Sequence, residues 1–372
     1  MKNVLFLNLT AFSQTGGIEK FNRNFLKALY ETEGETGIKS AAISLYDTDA
    51  ADKYYPKAKY SGYSRRRVAF VFNSFFKALK YDVVILGHIN LSLVGLMIKT
   101  FNPRKKVMLI CHGIEVWREL PAIQKMLIQR VDKILAVSTY TKDKIVSLHG
   151  INADSVSVFH NTIDAYFSLP EKFEKNAGLM NRYGIDEGDV VLYTLCRLSY
   201  SEQYKGYDEV LTALPEIISK YPHVKYIIAG KYDEREKSRL DEIISKNNLS
   251  ANVVFTGFVK DEEIIQHYQL ADAYVMPSKG EGFGIVFIEA MACGVPVIAG
   301  NKDGSTDAMQ TPGSGRLVNP ESIEEIVSAI EWVIKNKATR PAEASKQLQR
   351  NVMQRFGFNN YKHKLQEQLS LL

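Results

Sequence analysis

Residues 271–300, ADAYVMPSKGEGFGIVFIEAMACGVPVIAG, constrain this chain more than any other stretch. Ala273 to Met276 is an apolar run of the length of a buried strand, and the polar loop SKGEGFG follows it at once. Apolar periodicity then runs from Ile285 to Cys293, Gly294-Val295-Pro296 stops it, and Val297-Ile298-Ala299 opens another buried strand. Strand, Gly-rich loop, helix and strand form a βαβ unit, with the loop at the carboxyl end of the first strand. In open parallel sheets that is the end where ligands bind.

The loop's residue types suit a phosphate. Gly280, Gly282 and Gly284 let the backbone approach a ligand where side chains would block it. The N–H groups of Phe283, Gly284, Ile285 and Val286 open the helix and form an anion site, helped by the helix dipole. Glu281 lies in the loop and Glu289 two turns into the helix, so the two are not an adjacent acid–base couple. Flanking a diphosphate, they are better suited to accept hydrogen bonds from sugar hydroxyls. On these residues alone, a helix start with an acidic first turn and one solvated glutamate is an equal reading.

Taken as a whole, Glu281-x7-Glu289 within EGFGIVFIEAMACGVPVI resembles the signature of the retaining GT-B glycosyltransferases of family 4. The resemblance implies that the loop amides contact the diphosphate and donor sugar, that Glu281 lies at the sugar, and that Glu289 binds the ribose. It also implies an α/β fold of the GT-B type, two Rossmann-like domains facing an interdomain cleft. The alternation of apolar runs and helical periods along the chain supports α/β independently.

Near the start, Val4 to Leu9 reads as a buried strand and Ile18 to Tyr30 as a helix, joined by a loop ending Thr15-Gly16-Gly17. A lone Gly-Gly is a weak signal and fits a simple turn equally. The resemblance places the Gly16 and Gly17 amides near donor phosphate or acceptor. Lys39 to Leu45 reads as a second strand and residues 47–64 as a Tyr- and Lys-rich surface loop. Ala69 to Leu79 reads as an amphipathic helix carrying Phe70, Phe72, Phe75 and Phe76; such a stripe is either core or, behind Arg65-Arg66-Arg67, a membrane-surface face. Val107 to Cys111 is strand-like and ends at His112-Gly113. A histidine there is placed for a cleft, and the resemblance gives His112 a contact with the donor sugar. A structural histidine is the alternative. His160-Asn161-Thr162-Ile163-Asp164 is similar to a family step that carries Gly where Thr162 stands.

After a charged stretch, Pro170 to Asp189, that reads as a linker, Val190 to Cys196 starts a second series of strands. Arg197 and Lys205 stand at the two ends of the next loop. A guanidinium fork and a compact ammonium suit a diphosphate that gains charge as its sugar leaves; two unrelated surface cations are the alternative. The resemblance has the same Arg and Lys. It also lays the backbone of Phe258 and Val259 against the base, and leads to a Gly-rich step followed by an acid, for which Asp307 in Asp303-Gly304-Ser305-Thr306-Asp307 is the stand-in.

The expected domains are residues 1–165 for the acceptor, a linker 166–189, residues 190–351 for the nucleotide-sugar donor, and a helix 352–372 that returns to the first domain. A chain of 372 residues can bury two such cores. Three cysteines, far apart in apolar contexts, read as reduced thiols. MKNVLFLNL reads as a first strand rather than a signal peptide, and no apolar stretch reaches the ~20 residues that span a bilayer.

Net charge is uneven: residues 1–165 hold 23 Lys+Arg against 14 Asp+Glu, and residues 166–372 hold 24 against 28. Basic clusters at Arg65-Arg66-Arg67 and Arg104-Lys105-Lys106 are read either as a solvated face or as peripheral membrane contact. They match no nucleic-acid reading motif.

The expected activity is retaining transfer of a sugar from a nucleotide-diphosphate donor to a saccharide or lipid-linked acceptor hydroxyl, in polysaccharide, lipopolysaccharide or glycolipid assembly. Glu281 is not assigned as a nucleophile, and no cofactor is expected. No Asp-x-Asp pair is read at a strand end, where a metal–diphosphate site would need one, and Lys205 and Arg197 take the charge role. A cytoplasmic place, or the inner face of a membrane, is expected. A sugar-nucleotide epimerase and a non-catalytic nucleotide-sugar sensor are the alternatives; the first would need acid–base carboxylates beyond Glu281, and the second has little use for leaving-group cations.

Overall fold

The structure, a computed structural model, describes residues 2–337 and 342–371. The chain divides into two compact units, residues 1–166 with 356–372, and residues 167–355.

In the first unit the strands are β1 (Asn3–Asn8), β2 (Lys39–Ser44), β3 (Tyr60–Gly62), β4 (Val83–Leu86), β5 (Lys106–Cys111), β6 (Lys133–Ala136) and β7 (Val156–Val158). They form one sheet in the order β3-β2-β1-β4-β5-β6-β7, and every pairing is parallel. The apolar runs in the sequence are the central strands: Val4 to Leu7 and Val107 to Cys111 are fully buried, as strands covered on both faces must be. Between β1 and β2 runs the helix Gly17–Thr36, ended by Gly37 in the left-handed conformation.

Residues 47–64, read above as a surface loop, are partly core. Tyr55 is fully buried, Tyr54 and Tyr60 nearly so, and Tyr60 opens the edge strand β3. No apolar period marks this segment, because side-chain hydrogen bonds rather than a repeating face hold it.

In the second unit the strands are β8 (Val190–Leu195), β9 (Val224–Ala229), β10 (Val253–Gly257), β11 (Ala273–Met276), β12 (Val297–Gly300) and β13 (Gly315–Val318). Their order is β10-β9-β8-β11-β12-β13, again all parallel. Strand order therefore reverses between β8 and β11, and the loops leaving these two strands diverge to opposite faces. That reversal opens the crevice where ligands bind in such sheets.

The stretch read as a linker holds a helix, Ala177–Tyr183, capped by the Asn176 side chain and anchored by buried Leu179. Its single buried residue leaves no apolar period for the sequence to show. The tail holds two helices, Ala342–Phe356 and Phe358–Ser370, broken at Gly357. Thr162 takes part in holding it: its hydroxyl donates to the Phe356 carbonyl at 2.8 Å, and the Ile163 amide donates to the same oxygen at 2.9 Å. Among the described residues no helix is long and apolar enough to cross a membrane.

Candidate functional site

Lys205 and Glu281 come from opposite sides of the strand reversal. Lys205 follows β8 and Glu281 follows β11, and the Lys205 ammonium lies 2.7 Å from a Glu281 carboxylate oxygen. The loops are joined behind them. Gly206, at φ +85°, passes so near Pro277 that a Cβ would sit 2.3 Å from the Pro277 carbonyl oxygen. Any other residue there would part the loops. The Lys279 amide adds a 2.8 Å bond to the Tyr204 carbonyl. Both side chains of the pair are largely buried, 16% and 18% exposed. Burial alone would lower the Lys205 pKa, but the charge of Glu281 and the neighbouring Tyr204 hold it above the ordinary lysine value. Lys205 is thus a fixed cation at neutral pH.

Glu281 is pinned through its backbone. Its amide donates to an Asp303 carboxylate oxygen at 2.7 Å, and its carbonyl accepts the Gly304 amide at 2.8 Å. The other Asp303 oxygen accepts the Ser305 amide at 2.9 Å. Burial pushes the Asp303 carboxyl up to about 6, against the pull of these donors. Asp303 thus braces the glycine loop through Glu281, a role the sequence reading did not give it.

Gly284 caps the helix Ile285–Ala292 in the left-handed region at φ +88°, where a Cβ would fall 2.1 Å from the Phe287 ring. A helix's first amides have no acceptor within the helix, so the backbone of Gly284, Ile285 and Val286 presents donors beside the Lys205–Glu281 pair. The Phe283 side chain is buried. Glu289, on the same helix, is 1% exposed and accepts the Tyr268 hydroxyl at 2.9 Å. Phe258 and Val259 follow β10, the former 61% exposed and the latter buried. Arg197 does not join Lys205 directly: it pairs with Glu202 at 3.2 Å and its side chain is exposed. Asp233 accepts the Tyr200 amide at 3.1 Å and so steadies the loop between the two cations.

In the first unit, Gly16 and Gly17 start the helix that follows β1, and His112 follows β5. Phe21 on that helix meets the His112 ring edge-on at 4.9 Å. Nε2 of His112 is 2.8 Å from the Gly87 carbonyl oxygen, so that nitrogen carries the proton and donates. A Cβ on Gly17 would meet nothing within 4 Å.

Behind this loop stands a residue the sequence reading missed. Asp47 is fully buried. One carboxylate oxygen accepts the Thr10 hydroxyl and the Phe12 and Ser13 amides; the other accepts the Ala11 amide and the Ser44 and Tyr60 hydroxyls. Burial would raise its pKa, yet Tyr60, Ser13 and the amides together hold it below the ordinary aspartate value. Asp47-Thr48-Asp49 is an Asp-x-Asp pair just beyond β2, which corrects the reading above that found none at a strand end. Its first carboxylate is committed on both oxygens to holding residues 10–13.

Residues 178–355 match the family Glycosyl transferases group 1, and residues 15–166 match Glycosyltransferase Family 4. A GDP-mannose-dependent alpha-(1-6)-phosphatidylinositol monomannoside mannosyltransferase of Mycobacterium tuberculosis is 32% identical over 60% of this chain and 59% of its own length. The protein of the same description from Mycolicibacterium smegmatis is 30% identical over 64% of this chain and 63% of its own. The match thus spans about three fifths of these relatives. Anabaena Alr3699/HepE, solved in complex with UDP, superposes with a TM-score of 0.80 at 21% identity, covering 100% of both chains.

Proposed function

The chain belongs to the group 1 and family 4 glycosyltransferases and has their α/β GT-B fold, and from that premise we propose that it transfers a sugar from a nucleotide-diphosphate donor to an acceptor hydroxyl with retention at the anomeric carbon. The observation that carries this reading is the Lys205–Glu281 pair set beside the helix start at Gly284, on the strand reversal. An ammonium and several convergent amides are what a diphosphate requires as it leaves.

In this reading the bond from the sugar's anomeric carbon to the diphosphate oxygen breaks. The acceptor oxygen bonds to the same face of that carbon, and the acceptor's proton passes to the departing phosphate. Lys205 neutralises the growing phosphate charge, and Arg197 does so after exchanging Glu202 for the ligand. The amides of Phe283, Gly284, Ile285 and Val286 hold the phosphates. Glu281 accepts sugar hydroxyls; a carboxylate already bound to an ammonium is a poor nucleophile, which supports its exclusion from covalent catalysis. Glu289 accepts from the ribose alongside Tyr268, and the backbone at Phe258 and Val259 lies against the base. No metal is required, since the cations that balance the diphosphate belong to the protein.

The mycobacterial relatives' names make GDP-mannose the first donor to try and a lipid-linked saccharide the acceptor class. The test is incubation with GDP-mannose and a panel of other nucleotide sugars, with a lipid-linked acceptor, in the presence and absence of chelator. Release of nucleoside diphosphate with an α-linked product from an α-linked donor, undiminished by chelator, is expected. An inverted linkage overturns retention, and loss of activity with chelator overturns metal independence.

A further inference from the structure

The turn that carries Lys205 is held from outside. Gln203–Lys205 form one 3-10 turn, and Gly206 then leads into the helix Tyr207–Lys220. Glu236 stands on the helix Glu234–Lys246, which follows β9. It is fully buried, and its carboxylate collects donors from both flanks of Lys205. One oxygen accepts the Tyr207 hydroxyl at 2.6 Å, and the other accepts the Gln203 side-chain amide at 3.4 Å. Arg239, one turn further along the same helix, spans both oxygens: Nε donates to one at 2.9 Å and Nη2 to the other at 2.6 Å. Nη2 also donates to the Asp208 carboxylate at 2.7 Å. Residues 203, 207 and 208 are therefore tied to one buried carboxylate and its guanidinium, with Lys205 between them.

Such a network is a costly way to join two helices. Taking a carboxylate and a guanidinium out of water costs free energy, and well-packed apolar residues would hold the same elements at least as firmly. Apolar packing does not fix an angle, however, whereas a charged acceptor gripped by a guanidinium fork, a hydroxyl and an amide has one orientation. Burial would raise the Glu236 pKa, yet Arg239 and Tyr207 hold it below the ordinary glutamate value, so the acceptor stays charged at neutral pH. The turn's own closing bond, from the Gly206 amide to the Gln203 carbonyl, is long at 3.3 Å. Its shape therefore depends on the side chains that grip it.

We propose that Glu236 is a positioning residue for Lys205: by holding Gln203 and Tyr207 directly, and Asp208 through Arg239, it sets the turn at which the Lys205 ammonium meets Glu281. The consequence for transfer rests on the function proposed above, whereas the positioning belongs to the protein without ligand.

Amine acetylation reads the position of Lys205 without any ligand. Only an unprotonated amine attacks acetic anhydride, so a buried ammonium held by a carboxylate reacts slowly. Acetylation of Lys205, followed by mass spectrometry of its peptide, is expected to be about fivefold faster or more in Glu236→Gln than in the wild type. It is expected to be faster in Tyr207→Phe as well, which carries the test should Glu236→Gln not fold. Lys99, paired with Asp132 in the first unit, should react at an unchanged rate. In transfer at saturating nucleotide sugar, Glu236→Gln is expected to lower kcat about tenfold in the wild type but less than about twofold in a Lys205→Ala background, because a positioning residue has nothing left to act on once its target is gone. Lys205 acetylated at the wild-type rate in the folded variants, or an equal loss of kcat in both backgrounds, would overturn the proposal. A wild type that transfers no sugar would overturn the proposed function instead, with the acetylation rates still deciding the role of Glu236.

Discussion

The ammonium of Lys205 and the carboxylate of Glu281 lie 2.7 Å apart across the strand reversal, though 76 residues separate them in the chain. Without ligand the two neutralise each other in a largely buried place. In the proposed function, a diphosphate entering there would find a cation that needs no further desolvation and would compete with one carboxylate for it. As the sugar left, phosphate charge would grow and the lysine's attraction would shift toward it. The pair would thereby favour the later stages of transfer over the bound donor, which is the requirement for acceleration.

Replacing Lys205 with alanine is expected to lower turnover about 10²-fold or more, the scale for losing a preorganised charge partner. Steady-state kinetics with saturating donor checks this, and a wild-type rate would remove Lys205 from the chemistry.

Glu289→Gln is expected to act on binding instead. The residue is 1% exposed and already accepts from Tyr268, so losing a charged acceptor for the ribose should weaken donor affinity about tenfold. Turnover at saturating donor should fall less than affinity. Equal donor affinity in calorimetry would rule out the ribose contact.

Gly17→Ala separates folding from ligand approach. Nothing lies within 4 Å of the added methyl, and alanine is the better helix former, so the melting temperature should hold or rise. If donor phosphate or acceptor comes up against this backbone, kcat/KM falls at least tenfold. Unchanged kcat/KM would place the ligand elsewhere.

Asp303 gives a pH signature. Its carboxyl stands near 6 in the fold against an ordinary 3.8, so the folded state holds its proton more tightly than the unfolded chain does. Stability from this group is fully present below about pH 4 and is lost as pH rises through about 6. Relative to Asp303→Asn, the wild type should gain on the order of 3 kcal/mol as pH falls through this window. Urea unfolding of both proteins from about pH 4 to about pH 8 reads the difference; a gap that does not change with pH would contradict the assignment.

Much of this architecture was legible beforehand, for a physical reason. Parallel strands buried on both faces, such as Val4–Leu7 and Tyr274–Met276, must be apolar throughout, and the loops after them carry Gly and polar residues. The glycine loop and its two glutamates could be read for the same reason, from a contiguous string. What escaped notice depends on partners distant in sequence. Asp47 meets Thr10 to Ser13 across 34 to 37 residues, and no local pattern distinguishes such an acid from a solvated one. Asp303 likewise reaches Glu281 across 22 residues. The helix Ala177–Tyr183 was taken for linker because one buried leucine leaves no period. Arg197 and Lys205 could both be named from residue type and spacing, but not that only Lys205 would stand against Glu281.

The central claim is that the glycine loop and Lys205 together grip a nucleoside diphosphate. Titration calorimetry of GDP and of UDP into the wild type and into Lys205→Ala, with chelator present, addresses it directly. The account predicts saturable binding of at least one nucleotide by the wild type and at least tenfold weaker binding by the variant. Failure of both nucleotides to bind the folded wild type, or equal affinity in the two proteins, would contradict it.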